Sequence, residues 1–182
     1  MNKDVTYNGL TFEPYITREQ IDVRIGELGR QLSSDLKNER PLFLCVLTGA
    51  FPFASDLFRR FDGDAEIAFI RLKSYEGMGT TGAVKQVMGL TDDIKDRTVV
   101  IIEDIIDTGN TMHGLVADLK SKGPKDVKIA TLLFKPEALE KPVEPDYVGF
   151  EIPKKFIIGF GLDLDGLARN LNDIYVLKSQ GV

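Results

Sequence analysis

The segment from Val99 to Met112 constrains this chain more than any other. It opens with Val99, Val100, Ile101 and Ile102, four β-branched residues in a row. Such a run is too short and too uniformly apolar for a surface helix and reads as a strand buried on both faces of a parallel sheet. Glu103 and Asp104 follow at the strand's end, where ligands bind in open α/β sheets. Two more isoleucines lead into Asp107-Thr108-Gly109-Asn110-Thr111, and the pattern then turns helical through Met112, Leu115, Val116 and Leu119. A small, hydroxyl-rich loop entering a helix presents unpaired N–H groups and the positive end of the helix dipole, which suits a phosphate. Gly109 permits close backbone approach, and the Thr108 and Thr111 hydroxyls can each donate to a phosphate oxygen. Glu103 and Asp104 cannot rest against an anion directly, because like charges repel; they require a divalent cation, sugar hydroxyls, or both in between. The expected ligand therefore carries a phosphate, a diol and a metal ion.

The rest of the chain supplies a frame for that segment. At 182 residues one domain is expected, large enough to bury roughly 70% of its unfolded surface. The net charge of −5 argues against a general nucleic-acid or anionic-membrane surface. No apolar run approaches the roughly 20 residues of a membrane span, and the first residues lack a signal peptide's apolar centre. The single cysteine, Cys45, excludes an internal disulfide, fits a reducing cytoplasm and reads as inert packing inside an apolar run.

Thr6 to Phe12 suggests a short strand or hairpin around Asn8-Gly9. Thr17-Arg18-Glu19-Gln20 has capping-box spacing, and Ile21, Ile25, Leu28, Leu32 and Leu36 then form one face of a helix running to about Asn38. Leu42 to Leu47 is a second apolar strand, ending in Thr48-Gly49-Ala50 before a short helix with Phe53, Leu57 and Phe58. Ala65 to Leu72 alternates as a strand and enters a glycine-rich stretch at about 74–87, of the kind that forms either a lid or a disordered loop, with a return strand between Val84 and Leu90; the family resemblance given below favours the lid. Gly123-Pro124 stops the helix after the phosphate loop, and Val127 to Phe134 is a further strand ending at Lys135. Glu137 to Pro145 is rich in Pro and Glu and should wander on the surface. Asp146 to Gly159 is too irregular for the main sheet, so residues from about 145 to 182 are assigned to a small hood above the strand ends, with the N-terminus a candidate addition to it. His113, the sole histidine, is expected to be a bystander, and Asp163 and Asp165 are equivalent as metal ligands on sequence alone.

The run Ile102 to Thr111 resembles the phosphoribosyl-pyrophosphate (PRPP) motif of type I phosphoribosyltransferases, in the form carried by their 6-oxopurine, or hypoxanthine-guanine, branch. Lys135, Phe156 and Arg169 extend the likeness over nearly the whole chain. The resemblance implies an α/β fold with a mostly parallel central sheet flanked by helices and a small hood, in one domain spanning 1–182. It implies transfer of the phosphoribosyl group of PRPP to N9 of hypoxanthine or guanine with Mg²⁺ as cofactor, giving IMP or GMP plus pyrophosphate.

Residue by residue, the resemblance gives Glu103 and Asp104 the ribose diol, directly or through magnesium, and Asp107, Thr108, Gly109, Asn110 and Thr111 the 5′-phosphate. Asp107 is the candidate general base for the purine N7 proton, with helix capping as its competing role. Lys135 would donate to the purine O6, Phe156 would stack on the base and the Ile157 backbone would meet the base edge. The Leu47-Thr48-Gly49 turn and Arg169 would hold pyrophosphate, Ser74 and Tyr75 would close over the reacting centre, and Asp163 would meet a second magnesium. Two departures stand out: Thr48 replaces a lysine frequent at that turn, and Asn110 replaces a lysine carried by some relatives. The resemblance implies homodimers or homotetramers, while the lone cysteine, the net charge and the lack of a long apolar run lead to the expectation of a cytoplasmic chain with no membrane or nucleic-acid partner. Two rival readings are a PRPP-sensing regulatory protein of the same fold that binds nucleic acid, and an aspartic protease built on Asp107-Thr108-Gly109. The missing basic face opposes the first, and a helix directly after the Asp-Thr-Gly opposes the second.

Overall fold

Alternate residues of the two most apolar runs point to opposite sides, and both sides are covered. A computed structural model describes residues 3–73 and 85–178. In it Leu42–Leu47 (β3) and Thr98–Ile106 (β6) lie side by side in parallel, with Leu42 opposite Val99 and Cys45 opposite Ile102. Phe43, Cys45, Val100 and Ile102 pack toward one apolar layer, while Leu42, Leu44, Val99 and Ile101 pack toward the other. This is the two-faced burial that a period-2 element without polar positions demands.

The remaining strands complete two sheets. Val5–Tyr7 (β1), Leu10–Ile16 (β2), Ile157–Ile158 (β9) and Ile174–Leu177 (β10) make a small antiparallel sheet in the order β1-β2-β10-β9. Glu66–Lys73 (β4), Lys85–Met88 (β5), Asp126–Phe134 (β7) and Tyr147–Glu151 (β8) join the large sheet in the order β5-β4-β3-β6-β7-β8. All neighbours in that sheet are parallel except β4 and β5. Parallel connections require crossovers, and helices supply them.

Helix Arg18–Asp35 (α1) begins at the expected capping box, with Thr17 accepting from the Gln20 N–H and Gln20 reaching back to the Thr17 N–H. Its Ile21, Ile25, Leu28 and Leu32 are buried with Phe51–Phe58 (α2) against the Phe43 face. Asn110–Ser121 (α3) covers the opposite face with Met112, Leu115 and Leu119. No described helix is long and apolar enough to cross a membrane.

Three expectations are corrected. The first helix ends at Asp35, short of Asn38, because Leu36 leaves helical geometry and is buried as its cap. Tyr147–Glu151 belongs to the main sheet as its edge strand beside β7, not to the hood. Its broken apolar pattern reflects the side chains that an edge strand shows to solvent. Glu137 to Pro145 does not wander freely: Ala138 and Val143 are buried, and the Glu140 and Lys141 N–H groups both donate to the Thr108 carbonyl.

Candidate active site

Strand β6 runs on past the two acids to Ile106. Glu103 and Asp104 therefore sit inside the strand register, with Glu103 opposite Thr131 of β7, rather than beyond its end. Consecutive strand residues start out on opposite faces, yet the two side chains stay in contact, Glu103 Oε1 accepting from the Asp104 N–H at 3.2 Å, and they differ in what else they meet. Glu103 lines a pocket of about 120 Å³ with Asp107, Thr108, Gly109 and Thr111. Asp104 turns toward the Thr48-Gly49 turn at the end of β3: a Cβ on Gly49 would come within 1.6 Å of the Asp104 Oδ2. Glycine there is a condition for the acid's position.

Burial pushes the Glu103 carboxyl well above the usual carboxylate range, and the neighbouring Asp104 charge pushes it further. Burial also raises Asp104, against the opposing pull of its contact with Glu103, the Ile105 N–H and the Arg169 guanidinium. Neither acid makes an ion pair with a described residue.

At the next turn Gly109 adopts φ +78°, and a Cβ there would meet the Lys141 carbonyl oxygen at 2.8 Å. The reversal starts α3 without any side-chain cap, so Asp107 does not serve as the helix cap. Its Oδ2 instead accepts from the Lys135 Nζ at 2.7 Å, with Lys135 only 6% exposed at the end of β7. Strands β6 and β7 are adjacent, so one donor and one acceptor converge from neighbouring strand ends.

Phe156 is 46% exposed, an unusual state for a large aromatic, and its ring rests 6.1 Å from that of Phe12 in the hood. Ile157 buries its side chain in β9, opposite Val176 of β10. Arg169 donates to the Gly161 carbonyl at 2.6 Å and pairs with Asp163 at 2.7 Å. Asp163 also accepts from the Gly166 N–H at 2.7 Å, whereas Asp165 accepts from Asn8 at the hood's hairpin turn. Asp163 and Asp165, equivalent on sequence, are thus separated by the fold. Thr48 is exposed at the turn. Ser74 and Tyr75 lie outside the described residues, as does most of the lid stretch. His113 approaches the Pro142 carbonyl at 3.4 Å.

Residues 16–165 match the family model described as phosphoribosyl transferase domain. The hypoxanthine-guanine phosphoribosyltransferase of Streptococcus thermophilus is 43% identical over 166 residues, covering 90% of this chain and 92% of that protein. The enzyme of the same name from Bacillus subtilis is 40% identical, covering 90% of this chain and 91% of that protein. The chain also matches the bifunctional TilS/HprT protein of Listeria innocua at 41% identity, spanning only 26% of that longer protein. Among solved structures, a hypoxanthine phosphoribosyltransferase from Staphylococcus aureus has a TM-score of 0.88 at 38% identity, covering 91% of each chain. The chain belongs to the phosphoribosyltransferase family, in its hypoxanthine-guanine branch.

Proposed function

We propose that this chain transfers the phosphoribosyl group of PRPP to N9 of hypoxanthine or guanine, releasing pyrophosphate, with the labour divided by position in the site. The observation that carries the base assignment is the buried Lys135 ammonium held 2.7 Å from the Asp107 carboxylate. On a 6-oxopurine, O6 is an acceptor and the adjacent N7 can carry a proton, so its edge meets this pair with the correct polarity. Adenine presents a 6-amino donor to an ammonium that has only donors, and a site built on such a contact can reject the wrong partner by up to about 10⁴–10⁵. Phe156, open on one face, is the stacking surface.

The Asp107–Thr111 loop holds the 5′-phosphate by its N–H groups and hydroxyls. Asp107 takes the N7 proton as N9 attacks C1′. The C1′–oxygen bond to pyrophosphate breaks with positive charge developing on the sugar, so positioning and neutralisation of the leaving group carry the rate. Arg169 and the backbone at Gly49 face that leaving group.

Magnesium fits the donor set. The buried Glu103 carboxyl and the partly buried Asp104 carboxyl beside it suit an ion that takes one or two carboxylates and completes its shell with substrate phosphates and water. Among the described residues no three acidic, His or Cys side chains converge, so Glu103 and Asp104 would hold one ion and Asp163 would meet another through substrate. Bound there, Mg²⁺ would supply positive charge to offset the pyrophosphate, while Glu103 and Asp104 hold the ribose diol directly or through it. The same family reading implies a cytoplasmic homodimer or homotetramer, which light scattering of the purified chain checks for assembly.

The test is pyrophosphate release from PRPP with hypoxanthine, guanine, xanthine or adenine, with Mg²⁺ and again with EDTA. Turnover with 6-oxopurines, silence with adenine and loss in EDTA are expected. Adenine turnover comparable to hypoxanthine would sink the Lys135 assignment. For Asp107→Asn, a fall in kcat of about 10²–10⁴ with PRPP binding retained is expected; full turnover would remove the base role.

A further inference from the structure

The segment from Leu139 to Val143 crosses the back of the phosphate loop. The Glu140 and Lys141 N–H groups donate to the Thr108 carbonyl at 2.9 and 3.2 Å, and the Leu139 and Val143 side chains close over Gly109. At the rim the Glu140 carboxylate accepts from Asn110 Nδ2 at 2.9 Å, and the same Nδ2 donates to Thr108 Oγ1 at 3.2 Å. A side-chain amide has two N–H donors, so both of Asn110's are used within the protein. Asn110 is the first residue of α3, yet its side chain has no donor left for a phosphate. Glu140 meanwhile is solvent-exposed beside the loop, where a negative charge opposes a bound dianion.

We propose that Glu140 is a positioning residue of the phosphate loop: it holds the Asn110 amide as a strut turned from the phosphate, and its charge weakens retention of the nucleotide. The inference rests on the reading of Asp107–Thr111 as the 5′-phosphate site. It makes the nucleotide product leave more readily than the loop's own donors would allow.

The experiment is titration calorimetry of the full chain with GMP, in low salt and in about 1 M salt, where screening shrinks to about 3 Å. Glu140→Gln keeps the acceptor and removes the charge, and about threefold tighter GMP binding is expected in low salt, fading in high salt. Glu140→Ala removes the strut as well and is expected to bind at least about threefold more weakly than Glu140→Gln, through loss of loop order. Asn110→Ala added to Glu140→Ala should cause no further loss, because the two residues act through one contact. Unchanged affinity in Glu140→Gln, a gain indifferent to salt, or a further fivefold loss on adding Asn110→Ala would overturn the proposal.

Thr111→Val separates the two readings, since losing a hydroxyl bond to a charged group should weaken GMP binding about tenfold. If Thr111→Val binds GMP normally, the phosphate-loop reading falls and takes this inference with it. If Thr111→Val weakens binding while Glu140→Gln does nothing, only the inference falls.

Discussion

The two halves of the site are made in different ways. The half proposed to hold the 5′-phosphate, from Asp107 to Thr111, is a single stretch of chain whose geometry follows from one positive-φ glycine and one helix start. The half proposed to hold pyrophosphate and its metal is assembled from three distant segments: Gly49 after β3, Asp104 inside β6, and Arg169 in the loop before β10. A contiguous loop preorganises by local sterics and hydrogen bonds. An assembled site depends on several packed elements arriving together, so a small displacement in any of them is felt at the chemistry.

The sharpest way to break the assembled half is Gly49→Ala. The new Cβ would overlap the Asp104 carboxylate and crowd the Arg169 Nη1 at 3.3 Å, so PRPP-dependent turnover should fall by about 10² or more. Steady-state kinetics would show this, and a variant within threefold of the parent would show that the turn and the acid are not coupled.

A smaller loss is expected on the base side. Phe156→Ala should raise the purine KM by about tenfold, within the ~1–3 kcal/mol of a base stacked on an aromatic, and should leave the PRPP KM unchanged. Because the ring is half-exposed, thermal stability should change little. An equal rise in both KM values would indicate hood distortion instead.

The acids provide a test through stability. In the unfolded chain Glu103 titrates near the ordinary carboxylate value, whereas burial raises it in the folded protein. Between those values the folded state keeps a proton that the unfolded state has lost, so this group's contribution to stability falls as pH rises through the interval and stays lowered above it. Glu103→Gln should therefore stabilise the Mg²⁺-free protein by on the order of 1 kcal/mol at pH 7. That gain should vanish toward pH 4, and activity should be lost. Urea unfolding across pH checks the sign, and destabilisation at pH 7 would contradict it.

The smallest effect concerns the hairpin at the hood's edge. Asn8 donates to Asp165 at 2.8 Å and tethers the loop that carries Asp163 and Arg169. Asn8→Ala should raise the PRPP KM about twofold, the scale of one exposed hydrogen bond, with the purine KM unchanged. A matching change in the phosphate half, read with GMP, would blur the distinction between the halves.

Much of this was legible along the chain because its causes are local. The β-branched run of β6, the helical period after Thr111, the Thr17 to Gln20 cap and the phosphate loop each follow from neighbouring residues. The edge strand Tyr147–Glu151 was not, since an edge position relaxes the apolar pattern that marks a buried strand. The Leu139–Val143 segment carried no signal either: a Pro- and Glu-rich stretch looks the same whether it meets water or the back of a loop. By itself the sequence determined the strands, the helix starts and the acid- and hydroxyl-rich turn from Glu103 to Thr111, because strand, turn and helix periods are local; the candidates outside that turn came from the family resemblance. Only the tertiary structure decided their partnerships: Lys135 with Asp107, Asp104 under Gly49, Arg169 with Asp163, Glu140 with Asn110. Contacts between residues far apart in the chain depend on how sheet and hood pack, and no local pattern records that.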